Sequence, residues 1–313
     1  MKITSDFSNF SSTKKTILTI GTFDGVHVGH QKIIEQLLSN SKASNEQSVI
    51  LTFFPHPRMV LQKDFEIKLI NTLQEKSLLL EQMGLDHLIV HPFNKEFSRM
   101  TAFEFVREVL VNKLNISKLI IGYDHHFGKN REGNFEQLQE YGNMFGFELE
   151  EIPAQYLNDV TVSSTKIRNA LLNGQIQTAN NYLGYEFSIT GTVTKGNNIG
   201  SKLGYPTANI SVEEPYKLIP KNGVYVVKSN IKEKEIFGMM NIGNRPTIDG
   251  KSQTIEVNFL NFKGNLYDQT ITVKLIQFLR EEIKFESLDE LKLQLQKDQS
   301  ISQDIIHNLT SIS

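Results

Sequence analysis

The feature that most constrains the fold of this chain is the passage from an apolar run into a glycine-containing turn near its start. The run Thr16–Ile20 is rich in β-branched residues and predicts a strand, and helical apolar spacing follows over 31–38. His27 and His30, with Gly29 between them, stand where that helix begins, so the two imidazoles share one face. A helix start offers free N–H groups and a positive dipole end, so the turn predicts a phosphate site. Such a histidine pair alone is more often packing, but its coincidence with a strand, a glycine turn and a helix start favours function.

The first half of the chain alternates between strand-like and helix-like segments. The strand candidates are Thr16–Ile20, Ser48–Phe54, His87–His91, Lys118–Gly122 and Phe147–Ile152, and the helix candidates are Gln31–Leu38, Leu73–Met83, Ala102–Leu114 and Phe135–Phe145. This alternation predicts a parallel sheet with helices on both faces, whose ligands bind beyond the carboxyl ends of the strands. We therefore expect the residues after Ile20, Phe54 and Ile121 to meet at one edge.

From about Leu183 onward the pattern changes to short strands separated by turn signals. The strand candidates are Phe187–Val193, Val224–Lys228, Ile236–Asn241, Thr254–Phe262 and Gln269–Phe278, and a closing helix over Leu288–Gln296 has Ser287 as its N-cap. This pattern predicts an antiparallel β-barrel. The fold class is therefore α/β plus β, with one domain over 1–183 and a second over 184–313.

Length and charge limit the classes of protein to which the chain can belong. Its 313 residues exceed what one compact core usually serves, which favours two domains. The net charge of −2 argues against a nucleic-acid partner, and the absence of cysteine excludes thiolate metal sites. Segment 1–15 has no signal-peptide core, and no run approaches the roughly 18 apolar residues of a membrane span. We therefore expect a cytoplasmic protein that is not embedded in a membrane, and homo-oligomerisation is left open.

Three other segments of the first half bear chemically useful side chains. Pro55-His56-Pro57-Arg58 follows a strand candidate, although a plain strand terminator has the same pattern. Asp124, after the fourth strand, is suited to a ribose hydroxyl or a magnesium-bound water. Ser163 or Ser164 is a good N-cap for a helix reaching Leu172, and the positive charge of Arg168 in its first turns opposes the helix dipole. An anionic ligand would remove that conflict, which favours function over a simple capped helix.

The second half holds a glycine-rich segment over 195–209. Pro206 fixes the backbone before Thr207, and Asn209 lies two residues on, so in extended chain the hydroxyl and the amide point to one side. Such a pair suits Mg²⁺, although an ordinary glycine-rich loop is the simpler interpretation. Glu256 is either a solvent-facing strand residue or a general base inside a pocket, and Arg280 follows the next strand.

Two signatures resemble known families. The stretch Gly21–Gln31 is similar to the His-x-Gly-His signature of the nucleotidyltransferase superfamily, and the residues around that signature resemble its FMN adenylyltransferase branch. The stretch Leu203–Asn209 is similar to the Gly-Phe-Pro-Thr-Ala-Asn signature of riboflavin kinases. The whole chain thus resembles the bacterial bifunctional riboflavin kinase/FAD synthetase family. The resemblance implies a Rossmann-like nucleotidyltransferase domain and a kinase barrel. It also implies Mg²⁺ and ATP as requirements, with riboflavin, FMN and FAD as small-molecule substrates or products.

The resemblance also implies residue roles. His27, His30 and Glu256 would be catalytic, the glutamate as base for the riboflavin 5′-hydroxyl. ATP of the adenylyltransferase would contact Gly21, Phe23, His27, Gly29, His30, Asp124, Ser164, Thr165 and Arg168, and its flavin Pro55, His56, Pro57 and Phe127. ATP and Mg²⁺ of the kinase would contact Gly200, Gly204, Pro206, Thr207 and Asn209, with Thr207 and Asn209 on the metal. Arg280 would help to hold flavin or order the closing segment.

The chain departs from the family pattern at three places. His125 stands where the family usually has Phe, Ser201-Lys202 where it often has Arg, and Asn258 where it often has His. One alternative is a different nucleotidyltransferase with an unrelated barrel, which the Pro-Thr-Ala-Asn segment argues against. Another is a flavin-binding regulatory protein with decayed sites, which the intact histidines, Thr207 and Glu256 argue against.

Overall fold

The contacts in the computed structural model divide the chain into two compact units, Met1–Ser164 and Thr165–Ser313. The structure describes residues 1–62, 67–122, 128, 133–152, 162–196, 199–247 and 250–312. The two helices before the barrel belong to the second unit, since Lys221 N donates to Leu171 O at 3.1 Å and Asn180 Nδ2 to Leu275 O at 2.9 Å. The domain boundary after residue 183 stays a prediction.

The first unit is built on a parallel sheet. Its strands are β1 Lys2–Thr4, β2 Thr16–Ile20, β3 Gln47–Phe54, β4 His87–Pro92, β5 Ile116–Gly122 and β6 Glu148–Ile152. Its helices are α1 Val28–Ser44, α2 Pro57–Leu61, α3 Leu73–Gln82, α4 Ala102–Glu104, which continues as a π-helix over Phe105–Lys113, and α5 Phe135–Phe145. The strand order is β1-β4-β3-β2-β5-β6 with every described pairing parallel, so the α/β prediction is confirmed.

Both faces of this sheet are buried. Alternate residues of one strand point to opposite faces, and Leu18 packs in one apolar cluster while its neighbour Ile17 packs in another. The same split separates Val49 and Leu51 from Ile50 on β3. Continuous apolar strands therefore specify a sheet covered on both sides, which leaves the carboxyl-end loops as the place for polar chemistry.

The second unit is a closed antiparallel barrel with helices before, between and after its strands. Its helices are α6 Ser164–Leu172, which begins at the last residue of the first unit, α7 Ile176–Leu183, α8 Ile199–Lys202 and α9 Leu288–Ile312. Its strands are β7 Ser188–Thr194, β8 Ala208–Ser211, β9 Gly223–Ile231, β10 Lys234–Thr247, β11 Gly250–Phe259 and β12 Thr270–Arg280. The order β10-β11-β8-β7-β12-β9 closes through β9 and β10, so the barrel prediction is confirmed.

The structure contains two strands that are not among the sequence candidates, and its closing helix is longer than predicted. Strand β1 lies in a polar segment and pairs with β4. Strand β8 lies within the glycine-rich segment, for which an ordinary loop was the simpler interpretation, and it pairs with β7 and β11. The closing helix has its predicted cap, with Glu290 N donating to Ser287 Oγ at 3.2 Å, but it extends well beyond Gln296. Polar Asp298 and Ser302 occupy its buried positions, which hides the apolar periodicity. In the described part of the chain, no helix combines the length and apolarity needed to cross a bilayer.

Candidate active sites

The turn between β2 and α1 has an unusual backbone. Phe23, Gly25 and Val26 have φ angles of 47°, 89° and 37°, in the left-handed region that a β-branched residue such as Val26 rarely adopts. Conformations of this kind persist where the surrounding structure imposes them, and they cluster at functional sites. Gly21 precedes the turn, and a Cβ there would lie 3.0 Å from the Phe23 ring, so glycine allows the ring to pack in.

Contacts from three other segments hold the turn. Lys76 Nζ on α3 donates to Thr22 O at 3.1 Å. Ile70 N donates to Asp24 Oδ1 at 2.9 Å, and Ser164 Oγ donates to Asp24 O at 2.9 Å. The predicted residue Ser164 is therefore brought to this turn, where it contacts the backbone.

The two histidines form one stacked pair at the start of α1. His27 is the N-cap, and its Nδ1 accepts a hydrogen bond from His30 N at 3.3 Å. The ring centroids are 3.6 Å apart at 15°, and the Phe23 ring lies 5.0 Å from that of His30. Because Nδ1 of His27 accepts, a neutral His27 carries its proton on Nε2. Gly29 lies in the first turn of the helix between them.

The Nδ1 atom of His30 is buried and has no hydrogen-bond partner among the described residues. Buried polar atoms are normally hydrogen-bonded, so this atom is a candidate for contact with a ligand. Burial, with smaller contributions from the charges of His27 and Lys76, lowers the pKa of His30 well below its ordinary value. His30 is thus a neutral imidazole near pH 7, with one buried nitrogen whose hydrogen-bonding position no described residue fills.

The predicted flavin segment lies beside the same turn. Strand β3 ends at Phe54, and His56 caps α2 with its Nδ1 accepting from Arg58 N at 3.1 Å. His56, Asp24 and Lys76 line one cavity of about 10 Å³. The expectation that loops after β2 and β3 meet at one sheet edge is therefore confirmed. Pro55 precedes the cap, and Pro57 takes the first helical position, where its missing N–H costs nothing.

The remaining predicted residues of this site fall into two groups, those outside the described residues and those in α6. Asp124, Phe127 and His125 lie outside the described residues. Thr165 and Arg168 follow Ser164 in α6 and belong to the second unit. Their contribution to an ATP site stays a prediction.

In the barrel, strand register brings the predicted kinase residues together. Glu256 on β11 pairs directly with Asn209 on β8. Thr207 Oγ1 donates to Glu256 Oε2 at 3.3 Å, and Asn258 Nδ2 donates to Pro206 O at 2.8 Å. The candidate base therefore contacts one of the candidate metal ligands and faces the other across the ladder. The amide of Asn258, where the family often has His, holds the backbone of this segment.

Glycines let the neighbouring chain approach this site. A Cβ on Gly196 would overlap the Asn209 side chain, and one on Gly200 would overlap Tyr205 O. Gly204 has a φ of 89°, which favours glycine. Close packing therefore accounts for glycine at 200 and the backbone conformation for glycine at 204, and the contact of both with ATP stays a prediction.

A cavity of about 370 Å³ opens beside Thr207. This volume falls within the range of small-molecule sites. Its walls include Phe259, Phe262, Leu266 and Tyr267, which sequence reasoning missed. The turn signal at 263–265 indicated a loop there, but no local pattern indicated that the loop would cover a cavity.

Arg280 has one of its two expected roles in the structure, that of ordering the closing segment. Its Nε donates to Asp298 Oδ1 at 2.9 Å and its Nη2 to Oδ2 at 2.7 Å, and Asp298 is 2% exposed. This bidentate ion pair fixes the closing helix α9 to the end of β12. Contact of Arg280 with flavin stays a prediction.

Comparisons with known proteins match both halves of the chain. A family model described as FAD synthetase matches residues 9–166, and one described as riboflavin kinase matches 183–306. The bifunctional riboflavin kinase/FMN adenylyltransferase of Buchnera aphidicola subsp. Schizaphis graminum is 41% identical over 285 residues, which is 90% of this chain and 91% of that protein. The Escherichia coli K12 protein of the same description is 35% identical over 302 residues, 96% of each chain.

A solved structure resembles the whole chain. It is described as a macrolide-efflux protein from Streptococcus pneumoniae, is 28% identical, and superposes with a TM-score of 0.87 over 96% of this chain and 98% of that one. This likeness extends over both units, and the sequence matches cover both halves with one family in each. The chain therefore belongs to the bifunctional riboflavin kinase/FMN adenylyltransferase family.

Proposed function

We propose that this chain phosphorylates riboflavin to FMN in its barrel and adenylylates FMN to FAD in its parallel-sheet unit, with ATP as the donor in both steps. One observation carries the proposal. Each unit holds the polar group that its step needs, the stacked His27 and His30 in one and the Thr207–Glu256 contact in the other. Each lies within the segment matched by the corresponding family model.

In the adenylyltransferase, a phosphate oxygen of FMN attacks the α-phosphorus of ATP. The new P–O bond forms as the bond to pyrophosphate breaks, and pyrophosphate leaves with the electron pair. The chain supplies position and charge stabilisation. His27 would donate from Nε2, and neutral His30 would contribute its unpartnered nitrogen. The N–H groups of Val28 and Gly29 at the start of α1 would bind phosphate oxygens, since that of His30 is used by the His27 cap.

In the kinase, the 5′-hydroxyl of riboflavin attacks the γ-phosphorus of ATP, and ADP leaves. Glu256 accepts the hydroxyl proton as the P–O bond forms. The hydrogen bond from Thr207 orients one carboxylate oxygen of Glu256, which fixes the direction of the proton transfer. The 370 Å³ cavity borders Thr207 but is lined by Val257 rather than Glu256, so we assign the reacting hydroxyl to the Glu256 side of the strand and not to this cavity.

The residues present fit a hard cation. A hydroxyl and an amide oxygen from Thr207 and Asn209 suit Mg²⁺, which keeps few protein ligands and binds substrate phosphates. No group of three or more His, Cys, Asp or Glu suited to a metal occurs in the part of the chain that the structure describes. Bound there, Mg²⁺ would neutralise charge on the transferred phosphate.

A product time course tests the proposal directly. The chain is incubated with riboflavin, ATP and MgCl₂, and the flavins are separated by chromatography. FMN that appears first and then converts to FAD is the expected result. FMN alone would refute the adenylyltransferase half, and tight flavin binding without turnover would favour the regulatory alternative. The cytoplasmic location stays a prediction.

A further inference from the structure

A lysine that no sequence pattern singled out is buried beside the histidine turn. Lys76 on α3 is 8% exposed, and its Nζ donates to Thr22 O and to Thr52 Oγ1, each at 3.1 Å. Lysine is almost never buried this far unless it is paired, because removing an ammonium from water is costly. A core position of this kind would otherwise suit an apolar residue. The free-energy cost of burying the Lys76 ammonium therefore indicates that its charge has a role.

The first turn of α3 fixes the position of Lys76. Thr72 and Glu75 form a reciprocal capping box, with Glu75 N donating to Thr72 Oγ1 at 3.1 Å and Thr72 N donating to Glu75 Oε2 at 2.9 Å. The capping box fixes the first turn of the helix, which contains Lys76. The ammonium is thus presented from a rigid element.

The lysine contacts the entry of the strained turn. Thr22 is followed by Phe23, Gly25 and Val26, all with positive φ, and then by the N-cap His27. Thr52 Oγ1 also donates to Thr22 O, at 3.3 Å, so this carbonyl is held by two donors. A backbone in unfavourable φ relaxes unless its surroundings fix it. Releasing Thr22 O would therefore let the two imidazoles shift.

We propose that Lys76 is a positioning residue of the adenylyltransferase site, where its ammonium fixes the turn that places His27 and His30. The proposal rests on the function proposed above. Lys76 acts through Thr22 and is too buried to be assigned a substrate contact.

The charge state of Lys76 gives the proposal a distinctive signature. Burial lowers the pKa of Lys76 to about 8, and the Asp24 carboxylate partly opposes this. Three other titratable side chains of the described residues lie near Lys76. His30 belongs to α1, His56 lines the 10 Å³ cavity together with Lys76, and Glu75 takes part in the capping box. As pH rises through about 8, the ammonium loses its charge. The neutral amine keeps two N–H donors for Thr22 O and Thr52 Oγ1, but uncharged donors bind more weakly, so FAD formation falls.

The test compares Lys76→Met with Lys76→Arg, using riboflavin phosphorylation by the same chain as an internal control. Lys76→Met is expected to lower kcat for FMN adenylylation at least about tenfold, with the KM for FMN within about twofold. Lys76→Arg is expected to recover most of kcat and to lose the decline above pH 8, because guanidinium stays charged. Lys95→Met, an exposed lysine on the same unit, is the matched control.

Two results would overturn the proposal. They are an unchanged kcat for FMN adenylylation in Lys76→Met and a decline above pH 8 that persists in Lys76→Arg. Where Lys76→Met fails to fold, the kcat and the pH profile of Lys76→Arg, measured beside those of the wild type, decide the matter. A wild-type chain that makes FMN but no FAD would instead refute the proposed adenylyltransferase.

Discussion

The two units assemble their candidate sites in opposite ways. In the parallel-sheet unit, the histidine pair comes from one continuous segment, where a turn ends in the N-cap of a helix. In the barrel, Thr207 and Glu256 are 49 residues apart in sequence and meet because two strands pair in a defined register. A site built on one segment can be recognised in a sequence. A site built by register is visible to sequence analysis only as separate fragments.

The units also differ in what would disturb their sites. The turn of the first unit is held by buried polar contacts from β3 and α3 and by the Asp24 carboxylate. Loss of any of these contacts would change the backbone conformation that places the histidines. The barrel site depends on side chains that already point to one side of paired strands. Substitutions in one unit should therefore leave the chemistry of the other unchanged.

The largest expected effect comes from Glu256→Gln. Glutamine keeps the shape of the side chain but cannot accept the hydroxyl proton, so riboflavin phosphorylation should fall about 10²–10⁴-fold. Adenylylation of supplied FMN should stay within about twofold. Both rates are measured by chromatography, with the exposed Glu213→Gln as the matched control. Loss of both activities in a folded variant would contradict two independent sites.

The reverse pattern is expected from His30→Ala. Removing a preorganised phosphate partner should lower FAD formation about 10²–10³-fold. Riboflavin phosphorylation should persist, because the histidine pair belongs to the parallel-sheet unit and the Thr207–Glu256 contact to the barrel. The exposed His307→Ala is the control. Accumulation of FMN without FAD supports the assignment, and an FAD rate near that of the wild type would refute it.

Sequence reasoning succeeded where local pattern decides structure. Strand Thr16–Ile20 and helix Phe135–Phe145 match their predicted bounds, since apolar runs and caps are local signals. It failed where tertiary contacts decide. Strand β8 forms because β7 and β11 flank it, and the sequence alone left a strand and an ordinary loop both open there.

The candidate sites show the same division. Thr207 and Asn209 could be named as a pair from a spacing of two, but their meeting with Glu256 required the register. Lys76 was missed because a lone lysine in a helical pattern is normally solvent-exposed. The Arg280 contact with Asp298 was missed because the predicted helix stopped before residue 298.

The ion pair of the barrel provides a test of stability confined to one unit. Arg280→Met would leave the buried Asp298 carboxylate without its cationic partner, although Gln294 Nε2 still donates to it, and should destabilise the barrel unit by about 2–3 kcal/mol. Amide hydrogen exchange resolves the two units, and protection in the parallel sheet should be unchanged. Adding Asp298→Leu should restore much of the loss. Equal loss in both units would show that the pair is not local to the barrel.

The smallest expected effect is a difference in acid sensitivity. Burial lowers the pKa of His30, His87 and His91 in the first unit, with Asp86 and Asp6 partly opposing it at the latter two. The second unit has one histidine, His307, which is exposed.

The sign of the effect follows from proton binding. The ordinary pKa of 6.5 applies to the unfolded chain, so as pH falls below about 6.5 the unfolded first unit binds protons that the folded unit does not. Its free energy of unfolding should drop by about 1 kcal/mol between pH 7 and pH 6, while that of the barrel changes less. Hydrogen exchange at both pH values measures this. His87→Gln, which removes one of the three groups, should reduce the drop, and an unchanged drop in that variant would exclude His87 as a contributor.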